Sequence, residues 1–196
     1  MNIIVSGGGT GGHIYPALTI IRAIQQNEPS ARILYVGTPH GLEADIVPRE
    51  GIDFIAVDLA GFERKFSLEN ILRAGRALCA LARASGIVRR FRPDVAIGTG
   101  GYAAGPILLA ASLAGVPTLV QEQNVYAGVT NRILARFATA IAVGMEDARA
   151  VFPQNKTYVT GNPIRPEVLT ASRGEGAKAF GFDPLKKTVL VSGGSR

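Results

Sequence analysis

Asn2-Ile-Ile-Val-Ser-Gly-Gly-Gly-Thr-Gly-Gly-His13 is the stretch on which the reading of this chain turns. Three β-prone apolar residues, Ile3, Ile4 and Val5, run into five glycines interrupted only by Thr10, and a helical stretch from residue 13 or 14 to about 27 follows. An apolar strand that ends in a glycine turn and re-emerges as a helix opens a parallel α/β unit. Consecutive backbone N–H groups and a helix N-terminus in such a turn can face an anion. The loop is not a Walker loop, because no Gly-Lys-Ser/Thr follows. It is also a poor dinucleotide fingerprint, since Val36-Gly-Thr38 stands where an acidic ribose partner would close the second strand.

Outward from that loop, the same alternation continues. Short β-prone runs at 32–36, 52–57, 94–97, 116–120, 138–143 and 156–160 are separated by helical stretches, one closed by Gly51, others over 68–90, 103–114 and 126–137. Six or seven short apolar strands between helices predict a Rossmann-like, doubly wound α/β fold with a mainly parallel sheet covered on both faces. Residues 95–121 carry no charge, but the glycines at 98, 100, 101, 105 and 115 with Pro106 and Pro117 divide them into strand, short helix and strand rather than a membrane span. Residues 1–163 are read as one domain and 164–186 as a connection containing a short helix. Residues 187–196, Lys-Thr-Val-Leu-Val-Ser-Gly-Gly-Ser-Arg, are read as the first strand and glycine turn of a second α/β domain.

The long helix over 68–90, capped by Ser67, carries most of the charge. Residues 61–92 hold eight basic residues against Glu63 and Glu69, a local excess equal to the +6 of the whole 196-residue chain. At 100° per residue, Leu68, Ile71, Leu72, Gly75, Cys79, Ala82 and Gly86 share one side, expected to face the sheet. Arg76, Arg83 and Arg90 recur every seven residues along one flank, with Arg73 and Leu81 pointing further out. Such a surface suits an anionic membrane or nucleic acid, and no standard recognition motif organises it for the latter. With one cysteine, Cys79, the chain has no intrachain disulfide framework and no Cys-rich zinc site, which points to a reducing compartment. No Asp-x-Asp pair or histidine cluster suggests a metal site.

Chemistry-bearing residues gather after the strands. His13 sits where the first loop meets its helix, suited either to take a proton from a sugar hydroxyl or to cap and pack. His40, in the Thr38-Pro-His-Gly41 turn, reads as a surface residue. Gly98-Thr-Gly-Gly-Tyr-Ala-Ala-Gly105 repeats the logic of the first loop, so Gly101 and Tyr102 are candidates to border the same crevice. Gln121-Glu-Gln-Asn124 follows the next strand, which adds Glu122 and Gln123 as cleft candidates and makes Asn124 either a ligand contact or an Asx turn. Arg165 is suited to a phosphate or to tying a linker, and Ser195 to a glycine turn or a helix cap.

In their order and spacing, Gly7-Gly-Gly-Thr-Gly-Gly-His13, Gly41-Leu-Glu-Ala-Asp45 with Val47-Pro48, Pro93-Asp94, Gly100-Gly-Tyr-Ala-Ala-Gly105, Glu122-Gln-Asn124, Thr130-Asn131, Gly161-Asn-Pro-Ile-Arg165 and Gly193-Gly-Ser195 resemble the MurG family of glycosyltransferase family 28 over essentially the whole chain. The resemblance implies the N-terminal half of a two-domain GT-B enzyme. It further implies inverting transfer of N-acetylglucosamine from its uridine diphosphate donor to the C4 hydroxyl of MurNAc in undecaprenyl-pyrophosphoryl-MurNAc-pentapeptide, yielding lipid II for peptidoglycan synthesis. By it, Thr10, Gly11, Gly12, Asn124, Arg165 and Ser195 are donor-binding positions and His13 is the acceptor base. The family commonly has His-Glu-Gln-Asn where this chain has Gln121-Glu-Gln-Asn124, which places more weight on His13. No cofactor and no obligatory metal are implied, UDP-N-acetylglucosamine being a substrate.

The implied setting is peripheral, on the cytoplasmic face of the bacterial membrane, alongside cell-wall synthesis and division proteins. The membrane-facing candidates are Phe62, Arg64, Lys65, Phe66, Arg73, Arg76, Leu81, Arg83 and Arg90. Nucleic acid is not an expected partner. Competing readings are another GT-B nucleotide-sugar transferase, a sugar-nucleotide epimerase, or a nonenzymatic α/β partner-binding module.

Overall fold

The computed structural model describes residues 1–57, 69–183, 185–189 and 191, with side chains from residue 77 onward in the helix that starts at Glu69. Strands β1 (Asn2–Gly7), β2 (Arg32–Gly37), β3 (Asp53–Ala56), β4 (Val95–Gly100), β5 (Thr118–Glu122), β6 (Ala140–Val143) and β7 (Thr157–Val159) form one sheet in the order β3-β2-β1-β4-β5-β6-β7. Every neighbouring pair is parallel. The helices are α1 (Gly11–Asn27), α2 (Glu43–Arg49), α3 (Glu69–Phe91), α4 (Ala104–Leu113), α5 (Val129–Leu134), α6 (Pro166–Thr170) and α7 (Arg173–Phe180). The doubly wound parallel α/β fold expected from the alternation is the one observed.

Strand alternation explains the two covered faces. Ile3 and Val5 of β1 project to one side and join Ile14, Ala17, Leu18 and Ile21 of α1 and Val47 of α2 in one buried cluster. Ile4, between them, projects to the other side and joins a second cluster with Ala84 and Val88 of α3, Ile107 and Leu108 of α4, and Leu134 of α5. The chain winds outward from β1 through β2 and β3, then crosses to β4 and winds the other way. The β1/β4 boundary is therefore the topological switch point, where the loops leaving the carboxyl ends of both strands meet.

Three expectations are corrected. Cys79 and Ala82 of α3 are exposed, whereas Ala80, Ala84 and Val88 are buried, with Leu81, Ile87 and Phe91 packed beside them. The core-facing stripe thus lies on the side of α3 opposite to the predicted one, because α3 packs on α4 and the sheet through the i, i+4, i+8 set. Leu81 consequently faces inward and is not a membrane-facing residue. Secondly, no strand includes residues 187–189 and 191, and Val189 and Val191 are exposed, while residues 190 and 192–196 of the expected strand and turn lie outside the described residues. Thirdly, two helices, α6 and α7, occupy the stretch expected to hold one, and α7 opens on a Ser172/Glu175 capping box.

The chain divides into two compact units, Met1–Pro163 and Ile164–Arg196. In the second unit, Ser172 hydrogen bonds hold the Glu175 carboxyl below its ordinary value. The uncharged stretch 95–121 is β4, α4 and β5, and no helix among the described residues is long and apolar enough to cross a membrane. Phe62, Arg64, Lys65, Phe66 and Ser195, and the side chains of Arg73 and Arg76, lie outside what is described.

Candidate active site

The loop from Gly7 to Thr10 turns at the switch point, and its donors divide into two sets. The Gly8 N–H donates to the Gly100 carbonyl at 3.3 Å. The Gly9 N–H donates to Oε2 of Glu43 at 3.1 Å. These two amides point into the protein, not toward a ligand as the glycine run alone suggested. Helix α1 begins at Gly11 behind the extended N-cap Thr10, and the N–H groups of His13 and Ile14 turn back to the Thr10 carbonyl. The first-turn amides of Gly11 and Gly12 are the donors that the helix leaves without an intrahelical acceptor, the ordinary condition of an N-terminus. Gly12 and Thr10 are exposed.

Glu43 is the residue that the sequence reading passed over. Its side chain is fully buried, and Oε1 accepts from the Thr38 N–H at 3.1 Å and the Thr38 hydroxyl at 2.7 Å. With the Gly9 amide this makes three donors on one carboxylate, which offsets the desolvation that an interior charge suffers. The carboxylate also explains three glycines. A Cβ on Gly8 or Gly41 would fall on its oxygens, and one on Gly37 would meet its Cγ at 2.6 Å. Burial first, and then the Glu43 charge, push the Tyr35 phenol far above its ordinary 10.0, so Tyr35 stays protonated and donates to the Gly7 carbonyl at 2.6 Å. The legible signal was an acidic residue six places after the end of β2, on the apolar side of α2.

His13 is half-buried. Its Nδ1 lies 3.0 Å from the Gly8 carbonyl oxygen and 3.4 Å from the Thr10 hydroxyl. A carbonyl only accepts, so the Nδ1 facing it carries the proton and Nε2 is the lone-pair nitrogen. The ring packs over Gly100, where a Cβ would meet Nε2 at 3.1 Å and Cδ2 at 2.9 Å, and Gly100 sits at φ 106°. Only glycine meets both demands. The Thr99 hydroxyl donates to the His13 backbone carbonyl at 2.7 Å and ties the first turn of α1 to β4.

The second glycine loop touches the first. A Cβ on Gly101, at φ 76°, would fall on the Gly8 carbonyl oxygen, so Gly101 is a packing point between the loops. Tyr102 does border the first loop: it is 45% exposed, and its ring edge would lie 3.4 Å from a Cβ on Gly9.

After β5, Glu122 corrects another expectation. It is buried rather than cleft-lining, and its oxygens accept from the Asn124 N–H and Nδ2 at 3.0 Å each, the Gly128 N–H at 3.1 Å and Asn131 Nδ2 at 2.9 Å. The loop 123–128 is wound around this carboxylate, which leaves Asn124 exposed and oriented. Gln123 donates to the Thr99 carbonyl at 2.7 Å and to Gln121 Oε1. Asn162, beyond β7, donates to the Gln123 carbonyl at 3.2 Å and lies over Gly144. Buried Gln121 Nε2, Gln123 Oε1 and Asn131 Oδ1 find no partner among the described residues, so the floor behind His13 is polar. His40 is exposed, as expected, and Arg165 is the exposed residue that precedes α6 in the second unit. Among the described residues, no group of three or more His, Cys, Asp or Glu is placed to hold a metal ion.

A parallel doubly wound domain whose two glycine loops touch at its switch point, with His13 beside them, has the architecture of the N-terminal half of a GT-B protein. The model of the glycosyltransferase family 28 N-terminal domain matches residues 3–143, and the chain belongs to that family. It is 48% identical over 196 residues to the UDP-N-acetylglucosamine–N-acetylmuramyl-(pentapeptide) pyrophosphoryl-undecaprenol N-acetylglucosamine transferase of Halalkalibacterium halodurans, covering 54% of that protein. The namesake enzyme of Pediococcus pentosaceus is 49% identical over 196 residues, again with 54% covered. The chain thus spans about half the length of the curated relatives it matches.

The crystal structure of Acinetobacter baumannii MurG matches with a TM-score of 0.70 at 30% identity, over 86% of this chain and 47% of that one. A UDP-GlcNAc 2-epimerase from Neisseria meningitidis, bound to UDP-GlcNAc, matches with a TM-score of 0.61 at 18% identity, over 91% of this chain and 51% of that one; it shares the fold alone.

Proposed function

We propose that this chain is the acceptor-side domain of an inverting transferase that moves N-acetylglucosamine from UDP-N-acetylglucosamine to the C4 hydroxyl of MurNAc in undecaprenyl-pyrophosphoryl-MurNAc-pentapeptide. The observation that carries the reading is the 3.0 Å contact of His13 Nδ1 with the Gly8 carbonyl, which in the neutral ring puts the proton on Nδ1 and leaves the lone pair on Nε2. Nε2 takes the C4 hydroxyl proton as that oxygen bonds to the anomeric carbon of the donor, whose bond to the UDP oxygen breaks on the opposite face. UDP leaves with the bonding pair, and the anomeric centre inverts. The amides of Gly11 and Gly12, with Thr10, meet a phosphate of one substrate at the α1 N-terminus. Asn124, held by Glu122, orients a sugar or nucleotide group, while Arg165 and Ser195 complete the donor site with the rest of a second domain entered at residues 187–196. UDP-N-acetylglucosamine acts as substrate, and no cofactor or metal enters the proposal.

The acceptor's polyprenyl tail remains in lipid, so the protein works peripherally on the cytoplasmic leaflet, in the company of cell-wall synthesis and division proteins. Exposed Arg83 and Arg90 on one flank of α3, with Arg64, Lys65, Arg73 and Arg76, supply attraction of about 1 kcal/mol per close basic group. With Leu81 turned inward, apolar contact falls to Phe62 and Phe66, and to Leu78, which is 69% exposed. Binding to anionic vesicles should weaken as salt rises and be lost when Arg76, Arg83 and Arg90 become Glu; salt-independent binding by that variant places the membrane face elsewhere.

The decisive experiment is His13→Ala in the complete two-domain protein. The expected loss is about 10²–10⁴-fold in kcat with donor Kd little changed, because proton acceptance goes while the phosphate donors stay. An unchanged kcat removes His13 as the base. UDP-N-acetylglucosamine turnover that proceeds without the lipid-linked acceptor would favour the epimerase reading.

A further inference from the structure

Glu43 and His13 meet on opposite ends of one peptide bond. The Gly8–Gly9 peptide group gives its N–H to Oε2 of Glu43 at 3.1 Å, and its carbonyl oxygen accepts from Nδ1 of His13 at 3.0 Å. We propose that Glu43 is a positioning residue whose buried charge acts on His13 through this peptide, forming a carboxylate–peptide–imidazole chain. A carboxylate drawing on an amide proton pushes electron density toward the carbonyl oxygen of the same planar group, because the peptide is a delocalised unit. Hydrogen bonds linked in series polarise one another, and a charged end strengthens the series. The Gly8 oxygen is thereby a stronger acceptor, which holds the imidazole proton on Nδ1 and leaves the lone pair on Nε2 toward Gly100. Where a carboxylate orients a functional histidine directly, it selects the tautomer and steadies the imidazolium that forms. Here the carboxylate does so from behind the loop.

The geometry excludes looser explanations. Glu43 is fully buried, so its field is not screened by water, and the glycines at 8, 37 and 41 leave it no room to swing away. Gly9, at φ 87°, holds the amide on the carboxylate. The other titratable groups around His13 are Tyr35 of β2 behind Gly7, Tyr102 beside Gly9, and Glu122 of β5, which reaches the ring's surroundings through Asn131. Among these, Glu43 and Glu122 are the carboxyl groups, and Glu43 is the one with a continuous hydrogen-bonded path to Nδ1. The consequence for turnover rests on the reading of His13 as the proton acceptor; the coupling itself does not.

The test uses ¹⁵N spectra of the imidazoles at about pH 8.5, above the ordinary histidine range near 6.5. His13 and His40 are the two histidines, and exposed His40 is an internal reference. Native His13 should be in the Nδ1–H form, against the preference of free imidazole. Glu43→Gln should lower its Nδ1–H to Nε2–H ratio about threefold, as charge assistance is withdrawn, with His40 unmoved. Thr38→Val removes a hydroxyl from Oε1 but keeps the charge and the Gly9 bond, so its His13 spectrum should match the native one. A native His13 protonated on Nε2 overturns the proposal without any variant, as does a Glu43→Gln spectrum identical to native. A Thr38→Val shift as large as that of Glu43→Gln also overturns it, since loop disorder then explains both. In the complete enzyme, Glu43→Gln should lower kcat about 10-fold with donor KM little changed. A tautomer shift with kcat intact supports the coupling and removes His13 as the base.

Discussion

The loops after β1 and β5 are built by the same device supplied from different distances. In each, a buried carboxylate collects backbone and side-chain N–H groups and holds a loop at the carboxyl edge of the sheet. Glu122 is the last residue of β5 and organises the six residues that follow it. Glu43 comes from α2, 34 positions away from the Gly9 amide that it accepts. The local arrangement faces outward: Asn124 and Gly128 are exposed, and water reaches their amides if the carboxylate is lost. The distant one is more enclosed: Glu43, Thr38, Tyr35 and Gly7 are buried, and of its donors Gly9 alone is exposed. The same chemistry should therefore be a dispensable brace in one region and a keystone in the other.

The strongest test is to remove each carboxylate. Glu43→Ala strands the buried Thr38 N–H and hydroxyl away from water and opens a void, and it should cost about 3–5 kcal/mol of unfolding free energy. Glu122→Ala should cost less, about 1–3 kcal/mol, because two of its partners can turn to solvent. Urea denaturation of both variants measures the difference, and equal losses would dissolve the contrast.

Glycine substitutions sharpen it at smaller scale. Gly101→Ala demands φ 76° of an alanine and drives its Cβ onto the Gly8 carbonyl, so a loss of about 2–3 kcal/mol is expected. Gly128→Ala meets nothing within 4 Å, and a change of a few tenths of a kcal/mol is expected. Thermal unfolding of the pair would reverse the picture if Gly128→Ala proved the more damaging.

A modest effect at neutral pH, with a distinct pH signature, comes from Tyr35. Its proton is held in the folded state by burial and then by Glu43, so the folded value lies above the unfolded one. For an acid raised in this way, the stabilisation is complete below the unfolded value of about 10 and is lost as pH climbs beyond it, by about 1.4 kcal/mol per pH unit. Tyr35→Phe should cost about 1 kcal/mol at neutral pH through the Gly7 hydrogen bond, yet flatten the alkaline limb of stability. A variant with an alkaline limb as steep as native would show that Tyr35 does not titrate on unfolding.

Much of this architecture is written in local pattern. The run Ile3-Ile-Val5 and the glycines after it, the repeated strand–helix alternation, and the uncharged unit from 95 to 121 each specify their own backbone, because β-propensity, helical period and glycine turns act over a few residues. The order of elements and the parallel sheet follow, as does the gathering of His13, Tyr102 and Asn124 at strand ends, since parallel strands bring their carboxyl edges together. Tertiary packing decided the rest. The side of α3 that meets the core depends on where α4 lies, and the helix offered apolar or small residues on both sides: Ala80, Ala84 and Val88 on one, Cys79 and Ala82 on the other. The direction of the Gly8 and Gly9 amides and the part played by Glu43 depend on partners 34 to 92 positions apart in the chain. No local periodicity records such pairings, because a buried charge chooses its donors from whatever the fold seals around it.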